Sequence, residues 1–194
     1  AKLEAGRDLV ITSAEEQQGQ MRKDKRHYWE TSTITQHGSD VQIGGNLGMT
    51  ADQDLTVIAS TVKAQGDIAM VSGRDTTIAS AANARSSEYR YKRSDKKINK
   101  EDSQTRQQAA VIEAGSDLYI ESGNDLVISA SQLKAGDEAY LYAGNQLALL
   151  ASQDSDYHLY DMKKKGSWGS KKTKRDEVTD VRNVGSTITT GGDL

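Results

Sequence analysis

Short stretches in which apolar and polar residues alternate recur along the whole chain. One stretch, "DLTVIAS", spans Asp54–Ser60, and a near copy, "DLVISAS", spans Asp125–Ser131. In the first stretch Leu55, Val57 and Ala59 alternate with polar or β-branched neighbours, which is the period of a β-strand. The pattern therefore predicts many short strands and no amphipathic helix. We call the distance along the chain from Asp54 to Asp125 the long step.

A shorter unit repeats inside each copy: a small residue or Gly, then Asp or Asn, then alternating apolar residues, then Ala-Ser. The distance along the chain from Asp54 to Asp75, which we call the short step, equals the distance from Leu126 to Leu147. Self-similarity at about 20 residues indicates a solenoid. Glycine dipeptides such as "GN", "GR" and "GD" mark the corners and are expected to allow positive φ. The Asp residues at these corners are expected to hydrogen-bond their own backbone.

These features predict an all-β fold, namely one right-handed parallel β-helix that spans residues 1–194. A thin core fits the low mean hydropathy of -0.71, and the absence of proline fits continuous backbone ladders. The residues expected to face inward are Val57, Ala69, Val71, Leu126, Ile128, Leu147 and Leu149. A leucine-rich repeat is the alternative for this period, but its stacked Asn and LxxLxL pattern are absent.

Three charged stretches interrupt the repeat, at approximately residues 15–37, 84–113 and 153–183. Their flanks alternate as strands do and their centres hold turn residues, so each is predicted to be a β-hairpin. The hairpins would either project from one side of the solenoid or fold back along it. The interruptions hold 20 of the 25 Lys and Arg residues but only 15 of the 28 acidic residues. Positive charge is therefore concentrated where the chain leaves the coil.

Two interpretations of these charges stay open. The charges keep hairpin edges soluble, or they form a cationic, aromatic contact surface for anionic lipid head groups or polysaccharide. The candidate contact residues of the second interpretation are Tyr28, Trp29, Tyr89, Tyr91, Lys163, Lys164, Lys165, Trp168, Lys171, Lys172 and Lys174. Nucleic acid is not a predicted partner, because the formal net charge is -3 and no nucleic-acid-binding motif is present.

No enzymatic activity, metal site or cofactor is predicted. His27, His37 and His158 are far apart in sequence and are expected to be exposed and unpaired, and no HExxH, GxSxG or P-loop spacing occurs. The absence of cysteine excludes disulfides and thiolate metal sites. No apolar run reaches the roughly 20 residues that span a bilayer. Because the chain begins and ends inside the repeat pattern, we expect it to be a fragment of a longer protein.

The segment "GSDLYIESGNDLVISASQLKAGDEAYLYAGNQLALLASQD" resembles the haemagglutinin repeats of filamentous haemagglutinin-type exoproteins. The interruption containing "KKKGSWGSKKTK" and the return "VGSTITTGGDL" resemble them too. These exoproteins are large adhesins and contact-dependent growth inhibition toxins of Gram-negative bacteria, secreted by two-partner systems. The chain is most similar to the second, more C-terminal repeat region of contact-dependent growth inhibition effectors.

The resemblance implies a non-catalytic β-helical segment, exported by an outer-membrane partner transporter and secreted or displayed on the cell surface. For the second repeat region it implies retention in the periplasm until a receptor is bound. The region would then associate with the target-cell outer membrane, or with a surface glycan, and help a C-terminal toxin across. A passive stalk or adhesin repeat is the alternative function, and a polysaccharide-active β-helical enzyme is a third.

Overall fold

The computed structural model describes all 194 residues of the chain. They form three parallel sheets of five strands each and one antiparallel sheet of six strands. The chain visits the three parallel sheets in the same order on every turn, so they are the three faces of a parallel β-helix. The all-β solenoid with hairpin excursions that the alternating pattern predicts is therefore confirmed.

Each face contributes one strand to each of five coils. The first face contains β1 (Lys2–Ala5), β6 (Leu47–Ala51), β9 (Ile68–Ser72), β14 (Leu118–Ser122) and β17 (Ala139–Ala143). The second face contains β2 (Leu9–Thr12), β7 (Leu55–Ile58), β10 (Thr76–Ala79), β15 (Asp125–Ser129) and β18 (Gln146–Leu150). The third face contains β5 (Asp40–Ile43), β8 (Thr61–Ala64), β13 (Val111–Ala114), β16 (Gln132–Ala135) and β21 (Thr187–Thr189).

Three β-hairpins leave the helix between its second and third faces and pair into one sheet, which we call the projecting sheet. Its strands are β3 (Ala14–Lys23), β4 (His27–His37), β11 (Ala81–Lys92), β12 (Lys96–Gln108), β19 (Ser152–Lys165) and β20 (Lys171–Val184). No solenoid strand pairs with this sheet, and Leu159 is the only buried residue of its six strands. The projecting sheet is a free-standing single layer.

The hairpins span residues 14–37, 81–108 and 152–184. They lie near the three predicted interruptions, and the bounds differ most for the second one, for which the sequence predicts 84–113. Residues 111–113 belong to β13 on the third face, where Val111 pairs with Thr61. The sequence left open whether the hairpins project from the solenoid or fold back along it. In the structure they project from it.

The hairpins leave only the first, third and fifth coils. On the second and fourth coils the same corner is closed by the dipeptides Ala59-Ser60 and Ala130-Ser131, whose alanines have φ values of 46° and 44°. Neighbouring strands of a sheet lie about 4.8 Å apart, so the two strands of one hairpin occupy the height of two coils. This match lets the hairpins pair edge to edge in the order β20-β19-β12-β11-β4-β3.

The strand registers agree with the repeat period read from the sequence. Leu55 pairs with Thr76, and Leu126 pairs with Leu147, so each of these pairs is separated by the short step. Thr76 in turn aligns with Leu126 across the second hairpin. The distance from Leu55 to Leu126 is the long step, which therefore consists of two coils and one hairpin.

The core is a single cluster of 21 buried residues that runs along the inside of the helix. Val57, Leu126 and Ile128 face inward as predicted and are fully buried. The prediction is wrong for Ala69 and Val71, which lie on the outer side of β9.

Two neighbours of those residues, Ile68 and Met70, face inward in β9 and are 0% exposed. Leu147 and Leu149 align with the buried Leu126 and Ile128, yet they are 43% and 52% exposed. They lie in the fifth coil, whose β18 pairs with a neighbouring strand only on the side of β15, so their inward direction does not bury them here.

Corner glycines are required by close stacking of coils. A Cβ on Gly123 would overlap the carbonyl oxygen of Gly73 in the coil before it, and a Cβ on Gly144 would overlap that of Gly123. The expectation that corner glycines supply positive φ is wrong, because the only residues with positive φ are Ala59, Ala130, Trp168 and Gly169.

Corner aspartates connect successive coils. The Asp75 backbone N–H donates to Asp54 Oδ1 at 3.3 Å, the Asp125 N–H donates to Asp75 Oδ1 at 3.1 Å, and the Gln146 N–H donates to Asp125 Oδ1 at 3.2 Å. The expectation of bonds within one turn is wrong, because these bonds run between coils. Arg74 hydrogen-bonds the Asp54 carboxylate and holds its pKa below the usual value. These acids have a structural role in coil stacking.

Candidate functional site

The projecting sheet carries most of the positive charge of the chain. All Lys and Arg residues lie on the three hairpins except Lys2, Arg7, Lys63, Arg74 and Lys134. Most of these charges lie toward the outer ends of the hairpins, away from the solenoid. Side chains alternate between the two faces of a sheet, so each charged or aromatic residue belongs to one face or to a hairpin turn.

An aromatic cluster lies on one face of the projecting sheet and consists of His27, Trp29, Tyr89 and Tyr91. Tyr89 lies opposite Trp29 and Tyr91 lies opposite His27 across β11 and β4. The His27 and Trp29 rings are stacked with centroids 5.0 Å apart, and the Trp29 and Tyr89 centroids are 5.5 Å apart. Three of the predicted contact residues are thus brought together by the pairing of two hairpins.

Tyr160 extends this aromatic face onto the third hairpin. It lies opposite Lys100, which in turn lies opposite Tyr89 of the aromatic cluster. The ammonium groups of Lys100 and Lys174 are each 5.5 Å from the centroid of the Tyr160 ring, within cation–π range. Of these three residues, the sequence predicts only Lys174 as a contact residue.

Tyr28 lies on the opposite face from the aromatic cluster. Its hydroxyl group donates a hydrogen bond to Glu30, which raises the pKa of the tyrosine. The Arg90 guanidinium lies 5.3 Å from its ring centroid. The structure therefore separates Tyr28 from the neighbouring Trp29, although both are candidate contact residues from the sequence.

A pocket lined by lysines, which we call the lysine pocket, lies at the outer ends of the second and third hairpins. Its lysines are Lys96 and Lys97 of β12, Lys163–Lys165 of β19, and Lys171 and Lys172 of β20. Its volume is about 210 Å³, and no hydrophobic side chain lines it. Five of the predicted contact lysines lie here, and two further lysines come from the neighbouring hairpin.

Trp168 lies in the turn that joins β19 to β20, next to the lysine pocket. This turn is a short 3₁₀ segment, Ser167–Gly169. Trp168 has a φ of 62°, a conformation that bulky residues rarely adopt, and its side chain is fully exposed. The indole ring of this predicted contact residue is thus presented to solvent at the outer end of the sheet.

Each of the three histidines lies within hydrogen-bond distance of a carboxylate, so the expectation of unpaired histidines is wrong. The pairs are His27 with Asp24 at 3.0 Å, His37 with Glu16 at 2.8 Å and His158 with Asp102 at 2.5 Å. The backbone N–H groups of Arg26 and His27 hold the pKa of Asp24 below its usual value. The three histidines pair with three different carboxylates.

No group of three or more His, Asp or Glu side chains is placed to hold a metal ion. The chain contains no helix of the length and apolar character that crossing a membrane requires. The arrangement on the projecting sheet can instead attract anions through its lysines and offer aromatic rings for contact.

Several residues of the aromatic face and of the lysine pocket were not predicted from the sequence. Lys96, Lys97 and Lys100 belong to a hairpin that has no long run of lysines, and Tyr160 has no Trp or Tyr two residues away in its own strand. His27 does alternate with Trp29 within β4, but a histidine is not an obvious member of an aromatic cluster. The alternation of Tyr89 and Tyr91 is a usable signal for one strand. The register between hairpins, which completes both surfaces, has no local sequence signal.

A family model described as hemagglutinin repeat matches the chain twice, over residues 18–98 and 89–171. The offset between the starts of the two matches, from position 18 to position 89, equals the long step of two coils and one hairpin. Together the two matches cover well over half of the chain. Comparisons with curated proteins and with solved structures gave no match.

Proposed function

The chain belongs to the hemagglutinin repeat family, and we propose that it is a non-catalytic repeat segment whose projecting sheet contacts the surface of a target cell. Repeats of this family are typical of secreted or surface-exposed, adhesin-type proteins. The observation that carries the proposal is the free-standing sheet, which holds most Lys and Arg residues of the chain together with exposed aromatic rings.

The distribution of charge supports contact through the sheet and not through the solenoid. The solenoid corners carry columns of aspartates, and few basic residues lie on its faces. An anionic surface would therefore attract the projecting sheet and repel the coils. Because the hairpins extend away from the helix, their outer ends can reach such a surface while the solenoid stays clear of it.

Delivery of a toxin is the finer part of the proposal. In a longer, toxin-bearing exoprotein of the kind that the sequence resembles, this segment would be exported by an outer-membrane partner transporter. It would then associate with the target-cell outer membrane and help a C-terminal toxin across. The resemblance to contact-dependent growth inhibition effectors and the cationic ends of the hairpins support this role.

A passive stalk is the second candidate function. Parallel coils with continuous backbone ladders give a stiff element that grows by about 4.8 Å with each coil. In that case the segment would supply length, and the charges on the hairpins would keep the free sheet soluble. Neither candidate function includes catalysis.

The two candidates are separated by an in-frame deletion of this segment in its parent exoprotein. Attachment to target cells and growth inhibition would both be measured in co-culture, after surface display has been verified. Delivery predicts that attachment persists and inhibition is lost. A matched variant should keep the coils and remove only the three hairpins.

For delivery through the projecting sheet, the hairpin variant should behave like the full deletion. If attachment and inhibition instead decline together in proportion to the length removed, the segment is a stalk. If the hairpin variant retains full inhibition, the contact role of the projecting sheet is wrong.

A further inference from the structure

The lysine pocket contains more positive charge than its surroundings neutralise. Of its seven lysines only Lys163 has a carboxylate within 4 Å, that of Asp161 at 3.9 Å. Asp95 is the only acidic residue that lines the pocket. The Arg93 guanidinium hydrogen-bonds both oxygens of this carboxylate and lowers its pKa, so Asp95 is already paired.

The lysines are placed directly opposite one another across three strands. Lys96, Lys164 and Lys172 lie opposite one another on one face of the sheet. Lys97 and Lys163 form a second opposed pair on the other face. Like charges that face each other across a sheet are destabilising. Solubility alone does not explain why the lysines face one another. Lysines staggered along the same strands would keep the sheet equally soluble without this repulsion. An anion bound over the row of Lys96, Lys164 and Lys172 would reduce the repulsion on that face.

The chemistry of the pocket fits phosphate groups. Lysine ammonium groups bind phosphate as compact point charges that can reorient their three donors. A lining of lysines with two hydroxyl side chains, Ser94 and Thr173, and no hydrophobic group suits an anionic, polar ligand. The volume of about 210 Å³ leaves space for such groups between the two hairpins.

Trp168 indicates where the phosphate comes from. It lies in the turn between Lys165 and Lys171, at the outer end of the sheet, and its ring is fully exposed. Trp residues are enriched at the head-group level of membranes, where one side of the ring meets apolar chains and the other meets water. An exposed indole beside a phosphate site therefore favours a lipid surface over a free anion.

We infer that the lysine pocket binds phosphate groups of an anionic lipid surface, with Trp168 entering the head-group layer beside it. The site exists only where the second and third hairpins pair, since Lys96 and Lys97 come from one and the other lysines come from its neighbour. This inference rests on the proposed function, because it assigns a ligand to the same projecting sheet.

Co-sedimentation of the chain with phosphatidylcholine vesicles that contain phosphatidic acid tests the site. The pocket variant combines Lys96→Gln, Lys164→Gln and Lys172→Gln, which lie in one row on one face of the sheet. It should bind about 100-fold more weakly, since each basic residue near such a surface contributes about a fivefold change. A control variant with the same loss of charge combines Lys23→Gln, Lys25→Gln and Arg26→Gln, at the end of the first hairpin.

The control variant should show a clearly smaller loss, because Lys23 lies opposite Tyr28 and the other two residues lie in a turn, so no row of opposed lysines is removed. Equal losses in the two variants would mean that only the overall charge of the sheet matters, and the site would be overturned. Circular dichroism of both variants verifies that the sheet is intact. Sodium tripolyphosphate should also release the bound chain at a lower ionic strength than sodium chloride does. Release at the same ionic strength would contradict phosphate binding.

Tryptophan fluorescence tests the lipid source. Phosphatidic acid vesicles should shift the emission of the chain to shorter wavelength, and the shift should be absent from Trp168→Phe. Tripolyphosphate alone should cause no shift, and a bound chain without a shift would overturn the lipid part of the inference. If the pocket variant binds vesicles normally while deletion of the segment still abolishes delivery in co-culture, the inference fails and the proposed function stands.

Discussion

At the scale of single residues, the backbone carbonyl of the preceding coil determines which residue types fit at a corner of the solenoid. Gly123 and Gly144 each lie so close to the carbonyl oxygen of the preceding coil that a Cβ cannot fit. Gly44 lies at a corner of the first coil, where a Cβ would meet nothing within 4 Å. Glycine is thus required at the corners of Gly123 and Gly144 and optional at Gly44, because only the first two face a carbonyl oxygen of a neighbouring coil.

We expect Gly123→Ala to lower the free energy of unfolding by about 1–3 kcal/mol, because the added methyl group forces two coils apart. Gly44→Ala is the matched control and should leave this free energy unchanged or raise it slightly, since alanine restricts the unfolded chain. Urea unfolding followed by circular dichroism measures both variants. Equal effects at the two positions would refute the stacking requirement.

At the scale of elements, each hairpin depends on the hairpin beside it. An isolated two-stranded hairpin is marginally stable in water, whereas three or more paired strands support one another. The second hairpin is paired on both sides, with β4 of the first and β19 of the third. It therefore holds the projecting sheet together, although it adds nothing to the solenoid core.

Removal of residues 81–109, with Ser80→Ala and Ala110→Ser, should leave the solenoid folded and expose the two outer hairpins. The distance along the chain from Thr76 to Leu126 would shrink to the short step, as in the coils without a hairpin, and the coil would be closed by the same Ala-Ser corner. Trypsin should then cleave within residues 14–37 and 152–184 while the coils resist. Mass spectrometry of the fragments locates the cuts.

The control for this variant removes residues 152–185, the third hairpin, and leaves an Ala151-Ser186 corner without any substitution. The first and second hairpins stay paired in it and should resist trypsin. Cleavage of the first hairpin at the same rate in both variants would show that hairpin pairing does not protect it.

At the scale of the whole molecule, the rise of one coil equals the spacing between strands of the projecting sheet. A coil and a strand of the projecting sheet both occupy about 4.8 Å along the helix axis, so a hairpin on every second coil keeps the sheet continuous. Hairpins on successive coils would be crowded, and hairpins three coils apart would leave a gap. A segment one long step in length is therefore the smallest insertion that extends the solenoid and the projecting sheet together.

A chain that carries a second copy of residues 55–125 after Asp125 should therefore have a higher thermal unfolding midpoint, because each added coil contributes interfaces to its neighbours. Its hairpins should keep the trypsin resistance of the original sheet. A second copy of residues 55–75 after Asp75 adds one coil and no hairpin. It should lengthen the solenoid but separate β4 from β11, so that trypsin cleaves the first hairpin. Protection of that hairpin in both chains would contradict the two-coil rule.

The sequence by itself determined the class of fold and the positions of its parts. Strand alternation, the short step and the long step are properties of one coil or of two copies, so they can be read locally. The charged interruptions were also visible, because hairpins must leave the repeat and carry soluble residues. The five lysines of the third hairpin that line the pocket belong to one lysine-rich stretch, which is evident in the sequence.

Only the tertiary structure decided which face each residue occupies and which distant residues meet. In β9 both alternating sets are apolar, so periodicity cannot tell Ala69 and Val71 from Ile68 and Met70, and stacking against the next coil selects the larger pair. Lys96 and Lys97 join the lysine pocket through a register with β19, a strand that the chain reaches only after two further coils have been stacked. Contacts of this kind have no local pattern, because strand pairing between hairpins is fixed by the height of the coils from which the hairpins leave.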